Sequence, residues 1–145
     1  MISLDANILV YGVDSEAGTR HVRAQDIIRR ASNANGALTE QAMFEFFHAA
    51  TRKGRTTWDH AAAAIHDLLQ SFTLLLPHRT IVEDVLDLQS RYLLGIWDAR
   101  LLAVCAAHGC THLLSEDLQD GARYDGVTAI NPFDPANAAV IGSLL

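Results

Sequence analysis

Short apolar runs alternate with longer amphipathic stretches along the chain. Met1–Leu4 reads as a short buried strand ending at Asp5, and Ile8, Leu9 and Val10 suit the start of a helix just after it. Between His21 and Arg30, Val22, Ile27 and Ile28 recur near helical spacing, with arginines filling the other face. Ser32–Gly36 (SNANG) is a turn cluster and Ala37–Thr39 a short extended step. Thr39 or Glu40 then opens a helix that runs to Lys53 and closes at Gly54. Thr57 is a candidate N-cap for an alanine-rich helix through Gln70, and Phe72–Leu76 is a strand candidate. Thr80 starts a helix to about Arg91, Gly95–Trp97 is a break, and Asp98–His108 is a helix stopped by Gly109. Thr111–Leu114 and Val127–Ile130 read as strands on either side of a loop at Gly121–Asp125.

Short, uncharged strands alternating with helices predict an α/β domain. Its central, mainly parallel sheet of four to five strands would carry helices on both faces. No repeat, low-complexity tract or linker interrupts the pattern, so one domain over residues 1–145 is expected. In such sheets ligands bind outside the carboxyl ends of the strands. Asp5 and the Ser115-Glu116-Asp117 step would then share one edge.

Composition narrows the class. Half of the 145 residues are apolar, enough to bury a core without staples. Cys105 and Cys110 lack metal-site spacing and read as free thiols of a cytosolic protein. The apolar stretches are too short to span a membrane and no secretory leader opens the chain, so a cytoplasmic location is expected. A net charge of −6 argues against a protein that merely coats nucleic acid. It leaves room for a nuclease whose surplus carboxylates are neutralised by cations. The cations are clumped, with Arg20, Arg23, Arg29 and Arg30 in one stretch and Arg52, Lys53 and Arg55 in another.

The acids themselves raise the chemical question. A charge inside MISLDANILVY is costly unless it is paired, hydrogen-bonded or bound to a metal, so Asp5 is a cap, an ion-pair partner or a ligand. Asp98 fits a helix N-cap and a cation ligand equally, since the two are compatible. Glu45 borders the stripe of Met43, Phe46, Phe47 and Ala50, on the side of Ala42 and Ala49; it is a surface residue or a carboxylate with room to reach a ligand. Asp117 is a strand-end turn residue or a ligand, and Asp120-Gly121 favours a turn with a structural or supporting Asp120. Glu116 is expected to be solvated and to face away from Asp117. Mg²⁺ and Mn²⁺ prefer such oxygen donors, a few carboxylates plus water and substrate phosphate.

Four segments together resemble the signatures of PIN-domain proteins, above all the VapC-type toxins of bacterial toxin–antitoxin pairs. They are MISLDANILVY, Gln41-Ala42-Met43-Phe44-Glu45-Phe46-Phe47, Trp97-Asp98-Ala99-Arg100-Leu101-Leu102-Ala103 and Leu113-Leu114-Ser115-Glu116-Asp117. Their order and spacing fit over essentially the whole chain. The resemblance implies a PIN-like three-layer fold and a Mg²⁺- or Mn²⁺-dependent ribonuclease. Its ligands and catalytic acids would be Asp5, Glu45, Asp98 and Asp117. Asn7 would help orient the site, and Ser115 would hold water near the cation. A small antitoxin partner and a homodimer are also implied. Glu40 stands as an understudy to Glu45. His48 is a solvated helix residue or a substrate contact, and Arg52, Lys53 and Arg55 serve the helix dipole or grip phosphates. Trp97 and Tyr11 belong to core packing, a dimer contact or base stacking.

Other readings fit less well. An enzyme using aspartate as phosphoryl nucleophile would want a second Asp where Asn7 stands, and a placed lysine. Lys53 is the only lysine, which also counts against a two-component receiver domain. A PIN fold kept as a non-catalytic protein-binding or regulatory module, and a nuclease acting on DNA or structured nucleic acid, remain as alternatives.

Overall fold

The computed structural model describes residues 1–52 and 56–145. Among them six strands form one sheet: β1 (Ile2–Leu4), β2 (Ala37–Thr39), β3 (Thr73–Leu75), β4 (His112–Leu114), β5 (Arg123–Tyr124) and β6 (Val127–Ile130). Their order is β3-β2-β1-β4-β6-β5, and every pairing is parallel except β5 with β6. The chain first builds outward from β1 through β2 to β3. It then returns to lay β4 against the other side of β1, pairing Leu4 with Leu114. The direction of winding therefore reverses between β1 and β4, where crevices open at strand ends in sheets of this kind.

Alternation along the strands sends successive side chains to two cores. Leu4, Leu38, Leu114 and Ile130 join the core covered by α1 (Ala6–Val13), α2 (Thr19–Asn33), α3 (Glu40–Arg52) and α7 (Ala138–Leu144). Ala37, Leu75, Leu113 and Ala129 join the other, covered by α5 (Ile81–Tyr92) and α6 (Ile96–Ala107). The helix α4 (Trp58–Ser71) lays Ala64, Ile65 and Leu68 against the first core. Helices on both faces and a mainly parallel sheet match the pattern expected from the sequence. The described residues nevertheless form six strands where four to five were expected, because β5 adds an antiparallel edge. No helix among the described residues is long and apolar enough to cross a membrane.

Local signals explain most boundaries. Thr39 Oγ1 accepts from the Ala42 amide at 3.1 Å and starts α3, and Thr57 Oγ1 accepts from the His60 amide at 3.3 Å and starts α4. At the end of α6, Gly109 takes φ +71°. Its amide donates to Ala106 O at 3.0 Å and that of Cys110 to Cys105 O at 2.9 Å, the two bonds of a Schellman cap. Both cysteines are free thiols, buried at this cap.

Four boundaries differ from the sequence reading. Residues 123–124 are a strand rather than part of a loop, because Asp125 and Gly126, both at positive φ, close a two-residue hairpin onto β6. The helix carrying Asp98 starts two residues earlier, at Ile96, so Gly95 is its N-cap and Asp98 lies in its first turn. The second helix extends from Thr19 to Asn33, well beyond its apolar repeat. Beyond Asn131-Pro132-Phe133, where the pattern gave no element, α7 buries Ile141 completely.

Candidate active site: an acidic cleft at the β1–β4 edge

Asp5 leaves β1 and caps α1. Its backbone amide donates to Leu114 O at 3.0 Å, tying the strand end to β4. Its Oδ1 accepts from the Ala6 amide at 2.7 Å and its Oδ2 from the Ser115 hydroxyl at 2.6 Å. Only 8% of the residue is exposed. Burial pushes its pKa from 3.8 up to about 6; the Ser115 and Ala6 bonds hold it lower, and Asp117 and Glu45 push it further up. A carboxylate has room for further acceptor bonds beyond these two.

Ser115 and Asn7 couple the first and fourth strands. The Asp117 amide donates to Ser115 Oγ at 3.2 Å, and Asn7 Nδ2 donates to Asp117 Oδ2 at 3.1 Å. Glu116 is not solvated as expected. It accepts from the Tyr11 hydroxyl and pairs with Arg20 Nη2 at 3.0 Å, while the Arg20 guanidinium lies over the Tyr11 and Phe133 rings. Of the adjacent acids, Glu116 is thus tied to α1 and α2, whereas Asp117 lines the cleft. Burial and the Glu116 bond both raise the Tyr11 pKa above its ordinary 10. One of the three tyrosines should therefore titrate late in an absorbance titration. Glu116→Gln should bring that step partly back; an unchanged curve would show that the bond has no influence.

The cleft, about 300 Å³, is lined by Asp5, Asn7, Tyr11, Glu45, Ala49 and Asp117 among others. Glu45 lines it next to Ala49. Its Oε1 accepts from Gln41 Nε2 at 2.8 Å. Asp98 is half-buried in the first turn of α6, close enough to Asp117 to feel its charge, and burial first and Asp117 second raise its pKa. The structure thus brings Asp5, Glu45 and Asp117 to one cleft, and Asp98 is not among the residues that line it. Gln41 was not singled out in the sequence; its position one helical turn before Glu45 was the available signal.

A family model of the PIN domain matches residues 2–125. The chain belongs to the PIN domain family. No curated protein matches it in sequence. Among solved structures, a toxin–antitoxin complex from Klebsiella pneumoniae superposes with a TM-score of 0.64 at 23% identity, covering 92% of this PIN domain chain and 99% of that chain. VapBC2 from Rickettsia felis, bound to a DNA fragment from their promoter, gives 0.67 at 12% identity, with 90% and 98% covered. VapC20 from Mycobacterium tuberculosis, described as a sarcin–ricin loop cleaving toxin, gives 0.63 at 14% identity, with 78% and 87% covered. At these identities the likeness is one of fold.

The donors of this PIN domain's cleft are all oxygens, which suits a hard divalent cation. Asn7 Oδ1 adds an acceptor that is buried without a hydrogen-bond partner in the protein. The acids do not form a closed cage: among the described residues no three His, Cys, Asp or Glu side chains converge closely enough to hold a metal. Like charges separate, and Mg²⁺ commonly completes its shell with water and substrate oxygens.

The remaining candidates lie elsewhere. Asp120 accepts from the Asn131 amide at 2.7 Å and Asn137 Nδ2 at 2.9 Å, pinning the turn before α7. Glu40 pairs with Arg100 at 2.6 Å. His48 and Arg52 are exposed, and Lys53 and Arg55 lie outside the described residues. Trp97 is 63% exposed, which rules out core packing, and Tyr11 packs edge-on against Phe133.

Proposed function

We propose that this PIN domain is a divalent-cation-dependent endoribonuclease, the toxin of a toxin–antitoxin pair, that hydrolyses phosphodiester bonds in RNA. One observation carries the reading: Asp5, Glu45 and Asp117 line a single cleft at the reversal point of the sheet. These four acids would hold Mg²⁺ or Mn²⁺. A bound cation supplies Lewis acidity and charge neutralisation to a phosphodiester. Ser115 holds Asp5 in place and Asn7 holds Asp117, so two carboxylates from opposite ends of the chain keep a fixed relation. Burial raises the pKa values of Asp5 and Asp98, and a cation bound between the acids would oppose that shift by favouring their ionised forms.

The toxin–antitoxin setting of the solved neighbours supports a small antitoxin partner. Exposed Phe44, Trp58, Leu93 and Trp97 supply apolar surface for such a partner and for a homodimer. A cytoplasmic location accords with this role. The test is cleavage of RNA by purified protein with Mg²⁺, with Mn²⁺ and with EDTA. Cutting is expected with either cation and its loss in EDTA, with growth arrest on expression relieved by a neighbouring small gene. Failure to cut RNA with any cation would leave the non-catalytic module standing, and preferential cutting of DNA the other alternative.

A further inference from the structure

Gln41 is a buried polar side chain, 6% exposed, with all its main bonding capacity used. Its Oε1 accepts from Arg100 Nη1 at 2.9 Å. Its Nε2 donates to Glu45 Oε1 at 2.8 Å and to Trp97 O at 3.1 Å. The neighbours fix which end of the amide is which. Arg100 can only donate, so the oxygen must face it; the Glu45 carboxylate and Trp97 carbonyl can only accept, so the NH₂ must face them. Arg100 is itself held by Glu40, through Nη2 to Oε1 at 2.6 Å and Nη1 to Oε2 at 3.3 Å. A line of bonds therefore runs Glu40–Arg100–Gln41–Glu45, across the contact of α3 with α6 and into the cleft.

We propose that Gln41 is a positioning residue, which orients the Glu45 carboxylate for a divalent cation and is itself aimed by Arg100 and the Trp97 carbonyl. This rests on the nuclease reading. Without Gln41, the exposed Glu45 carboxylate is free to swing into solvent, and its side-chain entropy must be lost again whenever a cation binds. Neither glutamate nor methionine does the same work. Glutamate would add a negative charge and lose both donors, and methionine would fill the space while leaving Glu45 without its donor and the Trp97 carbonyl with its helical bond alone.

A purely structural tether between α3 and α6 would give the same bonds, and cation binding separates the two. Mn²⁺ affinity is measured by the paramagnetic resonance signal of the free ion, without RNA, for the wild type, Gln41→Met, Glu45→Gln and the double variant. Gln41→Met is expected to weaken Mn²⁺ binding about tenfold. In the Glu45→Gln background the same change should alter affinity less than about twofold, because the side chain that Gln41 holds no longer carries the charge that binds the cation. Arg100→Met, which removes the anchor of the amide but leaves Gln41 in place, should shift affinity in the same direction and show the same dependence on Glu45. It serves where Gln41→Met does not fold. Unchanged Mn²⁺ affinity in the folded variants, or losses that multiply in the double variant, would overturn the assignment. If the wild type binds no Mn²⁺ at all, the nuclease reading fails first, and that outcome is distinct.

Discussion

Replacing Asp5 by asparagine is expected to abolish RNA cleavage and, at the same time, to make the cation-free protein more stable at neutral pH. The loss of activity should be about 100-fold or more, as for other groups that fix charge at a reaction centre. The gain in stability follows from the raised pKa. Unfolded, the carboxyl ionises near 3.8; folded, near 6. The folded state thus binds more protons between those values, and this group's contribution to stability falls as pH rises from about 4 to about 6 and stays low above. The gap corresponds to about 3 kcal/mol of folded-state penalty on the ionised form, of which asparagine should recover about 1–3 kcal/mol. The amide oxygen can still accept from Ala6, while its nitrogen reverses the second bond by donating to Ser115 Oγ. The buried Ser115 proton then loses its native acceptor, and the gain falls below the full penalty. Thermal unfolding in EDTA should show the variant melting roughly 3–10 °C above wild type at pH 7.5, with the difference shrinking at pH 4. A variant less stable at pH 7.5 would mean that the ionised carboxylate is not the burden its burial implies.

One residue apart on α3, two substitutions should separate stability from activity. Phe46 is 1% exposed and among the largest fully buried side chains, whereas its neighbour Glu45 is exposed at the cleft. Phe46→Ala removes an aromatic ring from the first core and should cost about 3–5 kcal/mol, lowering the melting temperature by 10 °C or more. Glu45→Gln keeps the shape and the acceptor for Gln41, and should leave stability within about 1 kcal/mol of wild type. Its cleavage rate should nevertheless fall about 100-fold, while folded Phe46→Ala, assayed well below its melting temperature, should retain most of its activity. If both variants lost activity in proportion to stability, Glu45 would have no role beyond the fold.

The strands and most helices were legible because each apolar run was bounded by a cap or breaker whose chemistry is local. Thr39, Thr57 and Gly109 act through bonds no more than a few residues away, and the structure shows those bonds. What escaped depended on distant partners. Glu116 looks like a solvated acid until Tyr11 and Arg20, more than ninety positions earlier, are brought beside it. Gln41 is an ordinary helical glutamine until α6 delivers Arg100 and the Trp97 carbonyl. Helix α7 follows a segment rich in Pro and Asn, and only tertiary burial of Ile141 gives it an inner face. The strand at residues 123–124 is a different case: Asp125-Gly126 is a local hairpin signal that the adjoining Gly121 loop masked.

The bonds from Ser115 to Asp5 and from Asn7 to Asp117 each join residues 110 positions apart. The amino-terminal acid is thus made first and finished last. During synthesis, Asp5 leaves the ribosome long before the strand that must lie against β1, and the sheet cannot close around it until β4 has emerged. Even then β6 must follow to cover the far side of β4. A half-made chain has the first carboxylate but no cleft. The proposed activity therefore stays out of reach during synthesis until β4 and β6 have emerged, by the order in which the strands appear.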